Sequence, residues 1–499
     1  MISNVIVLGS GSAGLIAALG LKKRNPDLEV TVVSSSLIGT IGVGEGTVPY
    51  VVDFIHNYLK LDEAETYQSL DPVYKLGVEL QWGKNNSYFY PFTDDFLVKS
   101  LKNLPRGSGS YHQAGDSAAD LLVSLMQHRT LPIRATNLPN IPPPGKLVAW
   151  HIENHRLIET LVTAGKKANI HFVEDKLESA ESDTEGNVTS VLGESGNRYS
   201  ADLWIDASGF RAELISKHCD VPFTSFAESL YCDRAIVGGW QRESNEEILN
   251  FTVSETMNAG WAWRIDHPDR INRGYVYSSA HLSADDAAVE FQKKNPQVKE
   301  VREVKFTSGQ RETAWAHNVV AIGNASGFVE PLEATAIMCA CLQTQWLADG
   351  LYDAQCTITP SMRNLYNKVT TGLWAEIRDF LAIHYKYNDR LETPFWQQCQ
   401  NEIPSDNWCE LLDFYTENGP SNIADACLPP LSPFGIAGYL AHFVGLGLPA
   451  KTYQAPRHER RIYQEHCQRL DQIAKQGLPM KKIRELLLQR EVWQKMRSR

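Results

Sequence analysis

Six residues near the start of this chain constrain its fold more than any others. Gly9-Ser10-Gly11-Ser12-Ala13-Gly14 follows the apolar run 4–8 without a break and leads into an Ala/Leu-rich helical pattern reaching about Lys23. A second β-branched run, 30–33, completes a strand–helix–strand unit. Glycines at this spacing make a tight turn, bring backbone N–H groups to a pyrophosphate and let the helix lie close against the strand. The pattern predicts a dinucleotide site cradled by Gly9, Gly11, Ser12, Ala13 and Gly14. One element of that pattern is missing. The acid that usually follows the second strand and holds ribose hydroxyls is absent, because Val33 is followed by Ser34, Ser35 and Ser36, which leaves Ser34 as the candidate.

At 499 residues the chain exceeds the size at which one core keeps growing, so two or more packed units are expected. Hydrophobic residues make up 43% and charged residues 21%, ordinary usage that excludes a disordered, collagen-like or disulfide-stapled chain. Lys and Arg number 48 against 59 Asp and Glu, a formal charge of -11, which argues against a nucleic-acid partner. The nine cysteines are odd in number and include no C-x2-C pair, so they read as buried small hydrophobes in a reducing compartment. His317, His384 and His442 are scattered and read as structural histidines, so no metal site is expected. Met1 leads directly into a strand with no basic segment or cleavage site, which predicts a cytoplasmic protein. Residues 426–450 lack Asp, Glu, Lys and Arg and are long enough to span a bilayer, but their prolines and glycines break any lipid helix. That segment reads as buried or pocket-lining, with no membrane partner.

Farther along, a helix over 153–163, a strand at 170–173, a hairpin rhythm at 180–182 and 188–191, and a strand at 201–205 return the chain to the nucleotide unit. Strand patterns at 232–239 and 274–279, with Trp261-Ala262-Trp263 between them, predict a second, largely antiparallel sheet flooring a pocket. From about Thr335 the pattern is mostly helical. Residues 481–499 carry seven basic and two acidic side chains among Ile483, Leu486, Leu487 and Trp493. They read as a docked amphipathic helix, with a partner-binding surface as the alternative.

Three further stretches carry chemistry. Gly42-Val43-Gly44-Glu45-Gly46-Thr47 permits unusual backbone angles and close approach of peptide N–H groups to a ligand. Lys75 lies in an alternating run that sets Tyr74, Leu76, Val78 and Leu80 on one face and Lys75 and Glu79 on the other, the pattern of a solvated lysine. In Glu330-Pro331-Leu332-Glu333, Pro331 suits a helix start and both acids suit its dipole.

In order along the chain, GSGSAG at 9–14, IGVGEGTVP at 41–49, YKLG at 74–77, DASGF at 206–210, CDRA at 232–235, GWAWRI at 260–265, GFVEPLEATAI at 327–337 and IRDFLAIHY at 377–385 resemble the flavin-dependent halogenases related to tryptophan halogenase. The likeness runs through about residue 400. It implies an α/β chain: an FAD-binding Rossmann-like domain of the glutathione-reductase type, an antiparallel sheet and a mostly helical C-terminal substrate region. The expected division is a discontinuous FAD and sheet module over 1–340 and a helical region over 341–499.

By the same resemblance, hypohalous acid is made at the flavin from O2 and chloride, bromide or iodide, and is used at a distant lysine. Lys75 would carry it, reversing the solvated reading, and Glu333 would be the carboxylate near that lysine. Thr335 and Ala336 would cradle the halide, although Ala334 and Ala336 stand where relatives have Ser, Thr or Gly. The loop with Gly42, Val43, Gly44 and Glu45 would lie against the flavin, with Glu45 structural or gating, and Gly323 and Ile337 join the cofactor site. Trp261 and Trp263 would be pocket structure, with Asp266 where a proline is usual. Residues 426–453 do not match the tryptophan-binding cluster of relatives and suggest a more open lid with Phe434 and His442 in the substrate pocket. An indole, a phenol or a larger aromatic substrate is therefore expected ahead of free tryptophan. No second GxGxxG follows a strand, so reduced FAD would come from a separate flavin reductase; a homodimer is left open. A hydroxylating flavin monooxygenase and a catalytically silent flavoprotein remain the alternatives.

Overall fold

In the computed structural model, which describes residues 1–39, 44–84, 87–93, 97–112, 119–132 and 147–497, the strand–helix–strand start forms as β1 (Asn4–Leu8), α1 (Ser12–Arg24) and β2 (Glu29–Ser34). β1 is buried from Val5 to Leu8 and pairs in parallel with β2 on one side and Leu203–Asp206 on the other. The sheet runs Trp315–Ala316, Val319–Ala321, Leu203–Asp206, β1, β2, His171–Glu174. Only its outermost pair is antiparallel. Continuous apolar strands rather than alternating ones are what a parallel sheet covered on both faces requires. α1 is buried without a gap from Gly14 to Leu21, as an apolar helix inside a domain should be.

The chain forms two compact, interleaved units: residues 1–70, 153–227 and 307–377, and residues 71–152, 228–306 and 378–499. This differs from a division at residue 340. The helix Ala336–Asp353 falls wholly in the first unit and the antiparallel sheet in the second. Neither assignment is visible as a composition change. The first unit adds the antiparallel strands Leu177–Ser182, Val188–Gly193 and Arg198–Tyr199. Its core gathers Ile6, Leu8, Val33, Trp204, Leu214, Ile215 and Val319.

The second unit is built on a seven-stranded sheet in the order Arg302–Lys305, Arg234–Gln241, Arg270–Tyr277, Gly260–Asp266, Thr252–Met257, Gly77–Gln81, Tyr88–Pro91. All its pairs are antiparallel except Thr252–Met257 with Gly77–Gln81. The basic C-terminal stretch forms two helices, Met480–Leu487 and Arg490–Arg497. Ile483, Leu487, Val492 and Trp493 are buried, and Arg484 clamps Asp71 through two hydrogen bonds of 2.6 Å. It is a docked terminus. Among the described residues no helix is long and apolar enough to cross a membrane.

Asp266, at the position where a proline was expected, is the fully buried anion of this sheet. It pairs with Arg242 at 2.9 Å and Arg264 at 2.7 Å and accepts the Leu249 N–H at 3.0 Å. Proline there would leave two arginines without their carboxylate. Asp266→Asn, which keeps the shape and removes the charge, should cost about 3–5 kcal/mol in urea unfolding; a loss below about 1 kcal/mol would show that the arginines need no anion.

Candidate active site

The β1–α1 turn opens onto a cavity of about 320 Å³ within the first unit, the lower end of the range for small-molecule sites. Gly9, Gly11, Ser12 and Ala13 line it with Ser34, Ser35, Glu45, Asn154, Asp175, Lys176, residues 207–211, Gly323, Ala336 and Ile337. Gly14 does not. A Cβ there would lie 2.0 Å from the Gly9 carbonyl oxygen, so its role is to let helix and turn touch. A Cβ on Gly11 would meet nothing within 4 Å, so this residue leaves room for a ligand. Gly11 is also the N-cap of α1, which has no side-chain cap and no acid in its first turn. The N–H groups and positive end of that helix are therefore available to an anion.

Three hydrogen-bonded anchors shape the wall. Ser12 Oγ donates to Asn154 Oδ1 at 2.6 Å. Asp206, fully buried at the end of its strand, accepts the Leu214 and Ile215 N–H groups at 2.8 and 2.9 Å and is bonded by Ser208. Gln343 accepts the Gly323 N–H at 2.8 Å and donates to Ser326 Oγ at 2.8 Å. Asn154 and Gln343 escaped the sequence reading. The only signal for Gln343 is an amide inside the apolar stretch of helix Ala336–Asp353.

Gly44 sits at φ +82° beside this cavity's Glu45; Gly42 and Val43 lie outside the described residues. Burial pushes the Glu45 carboxyl up to about 7. Glu333 is buried in a tight turn, Pro331–Glu333, and the next residue, Ala334, takes φ +55°, a backbone state that disfavours a side chain. Thr335 and Ala336 then begin the helix Ala336–Asp353, with Thr335 buried.

In the second unit, Lys75 ends the strand Val73–Lys75 and lies opposite Ala149. It is 1% exposed, whereas alternation alone suggests solvent. The strand is interrupted at Leu76, whose N–H bonds the Asn250 carbonyl at 2.8 Å, and Tyr74 and Lys75 are both covered. The Lys75 ammonium lies 5.2 Å from the centre of the Phe92 ring, cation–π range. His151, across the ladder from Val73, is fully buried and hydrogen-bonds Thr252 at 2.8 Å; burial and the Lys75 charge hold its imidazole well below the ordinary range.

Trp261 and Trp263 are buried on one strand with ring centres 6.0 Å apart. Phe434 stacks on Phe380 at 3.7 Å. His442 belongs to the same cluster, 3.9 Å from the His384 ring and hydrogen-bonded to Tyr88 at 2.9 Å. The two histidines, scattered in sequence, are thus neighbours, and burial drives the His442 imidazole well below its usual range. The helix Gly435–Gly445 that carries His442 is buried from Ile436 to Phe443. Over those residues an open lid is not what forms.

The family described as tryptophan halogenase matches residues 4–458. The chain belongs to that family. Tryptophan 6-halogenase SttH of Streptomyces toxytricini is 30% identical over 89% of both chains. Tryptophan 7-halogenase KtzQ of Kutzneria sp. (strain 744) is 30% identical over 84% of this chain and 82% of its own. Among solved structures, MibH, a lathipeptide tryptophan 5-halogenase, superposes with a TM-score of 0.88 at 31% identity, covering 97% of this chain and 93% of its own. BrvH, a flavin-dependent halogenase from Brevundimonas sp. BAL3, does so at 0.85 and 25% identity, covering 98% and 99%. The protein is therefore a flavin-dependent halogenase with the FAD-binding Rossmann-like fold of that family.

The open face of Gly11, the uncapped helix start and the cavity fit the pyrophosphate of FAD. Gly11 has φ -69° and ψ 174°, angles open to any residue. Gly11→Val should therefore weaken FAD binding in a fluorescence titration more than tenfold while shifting the melting temperature by no more than about 2 °C. Unchanged affinity would place the cofactor elsewhere.

Proposed function

We propose that this halogenase attaches halogen to an electron-rich arene of indole or phenol type, with Lys75 presenting hypohalous acid to the ring. The observation that carries this reading is the burial of Lys75. A lysine is rarely covered so completely unless its charge is paired or put to use, and this one holds its ammonium over Phe92. Reduced FAD, delivered by a separate flavin reductase, supplies with O2 the two-electron oxidation that turns halide into hypohalous acid.

The remaining work belongs to the chain. The N–H groups of Gly11, Ser12 and Ala13 hold the pyrophosphate, and Asn154 and Gln343 fix the walls around it. Thr335 and Ala336, at the positive end of an eighteen-residue helix, hold the halide. The Lys75 ammonium donates a hydrogen bond to the hypohalous acid and polarises it toward an electrophilic halogen. Attack by the ring forms the carbon–halogen bond and breaks the oxygen–halogen bond, and the leaving hydroxide takes a proton from the Lys75 ammonium to depart as water. Glu333 takes the proton from the substituted carbon, and return of one proton to Lys75 restores both groups. Trp261, Trp263, Phe434 and His442 serve as structure of the substrate pocket in the second unit.

With FAD, a flavin reductase, NADH and bromide, mass spectrometry of a panel of tryptophan, indoles and phenols should show brominated product. Lys75→Ala should lower it at least about 10²-fold with FAD binding kept. Equal bromination in both proteins would mean that free hypohalous acid does the chemistry.

Glu45 gives a pH signature. Its carboxyl is already raised to about 7, and a ligand that covers it further favours the neutral form. Binding then takes up a proton, so FAD affinity should fall as pH rises through about 7 and should lose that slope in Glu45→Gln. A parallel slope in both proteins would remove Glu45 from the cofactor site.

A further inference from the structure

The adenosine side of the cofactor cavity lacks the group that dinucleotide folds use there. β2 ends at Ser34, and Ser34 and Ser35 line the cavity. An acid at this strand end normally accepts hydrogen bonds from the ribose hydroxyls. Two carboxylates stand close by, Glu174, which lies beside Ser34 in the parallel ladder, and Asp175, whose N–H bonds the Ser34 carbonyl at 2.9 Å.

Both are already engaged within the protein. Glu174 accepts the Ser36 N–H at 2.6 Å and the Ser36 hydroxyl at 2.9 Å. Asp175 accepts the Ser195 hydroxyl at 2.5 Å, the Tyr199 hydroxyl at 2.7 Å, the Lys176 N–H at 2.8 Å and the Ser195 N–H at 3.1 Å. These bonds hold the Asp175 carboxyl down at about 2, the mark of an anion whose oxygens are saturated. Lys176 and Arg211, both on this wall, are paired with Glu194 and Glu213. The Ser35 hydroxyl is engaged too, bonding the Glu174 carboxylate and accepting the Leu37 N–H at 3.3 Å, so among the described residues at this strand end the Ser34 hydroxyl is what remains for a ribose.

We propose that at this strand end the ribose of FAD is held by the Ser34 hydroxyl in place of a carboxylate, so that Ser34 sets how strongly the chain prefers FAD to FMN and how readily the dinucleotide leaves. Hydrogen bonds between neutral hydroxyls are roughly half as strong as those to a carboxylate. The adenosine half therefore adds little grip, which suits a cofactor that arrives reduced from another protein. The inference rests on FAD occupying this cavity.

The test is a fluorescence titration of wild type, Ser34→Glu and Ser34→Ala with FAD and with FMN, which lacks the adenosine half. Ser34→Glu should tighten FAD about tenfold and leave FMN unchanged, and Ser34→Ala should weaken FAD about threefold. Because a new acid faces Glu174 across the ladder, the same substitution is also made in a Glu174→Gln background, where the like charge is gone. Unchanged or weaker FAD binding by Ser34→Glu in both backgrounds, or equal shifts for FAD and FMN, overturns the inference. Wild type that binds neither flavin overturns instead the placement of FAD on which it rests.

Discussion

The structure depends on one close approach of backbone to backbone. Gly14 lies so near the Gly9 carbonyl that a side chain at position 14 cannot exist, and this contact seats the start of α1 against the end of β1. Only then do the first N–H groups of the helix face an open space. The loop after Leu203–Asp206 reaches the same point, because the buried Asp206 carboxylate gathers the backbone N–H groups of the segment that follows. A turn, a helix end and a carboxylate-braced loop, each a local consequence of residue type, together frame the cavity.

The two units manage polar groups in the same way but to different ends. In the first, buried Asp206 and Gln343 are satisfied by backbone and serine, and they fix walls. In the second, Asp266 is satisfied by two arginines and secures the antiparallel sheet on which the tryptophan pair lies. Lys75 is the buried cation at the end of that unit's short strand Val73–Lys75. A long cationic side chain covered by protein costs stability, and the chain retains it over an aromatic ring rather than in water.

What the sequence made legible follows from how local each signal is. The β1–α1–β2 start could be read because its glycines, apolar runs and helix composition sit within thirty-odd consecutive residues, and the family likeness followed from motifs of similar compactness. The cavity wall was only partly readable. Asn154 and Gln343 come from distant helices and act through single amide groups that no spacing announces. The boundary between units was hidden because the chain passes from one to the other repeatedly. The burial of Lys75 was invisible to alternation, because that rule assumes one wet face and this short strand has none. His384 and His442 looked unrelated for the same reason that distant residues always do: their contact exists only after the helix Gly435–Gly445 is packed.

The most direct measurement of the account is a single turnover. Protein loaded with reduced FAD and an indole or phenol is exposed to O2 with and without bromide, and the arene is analysed by mass spectrometry. The account predicts a product bearing the bromine isotope doublet when bromide is present and unmodified arene when it is absent. An oxygenated arene formed without halide would contradict it and make the protein a monooxygenase.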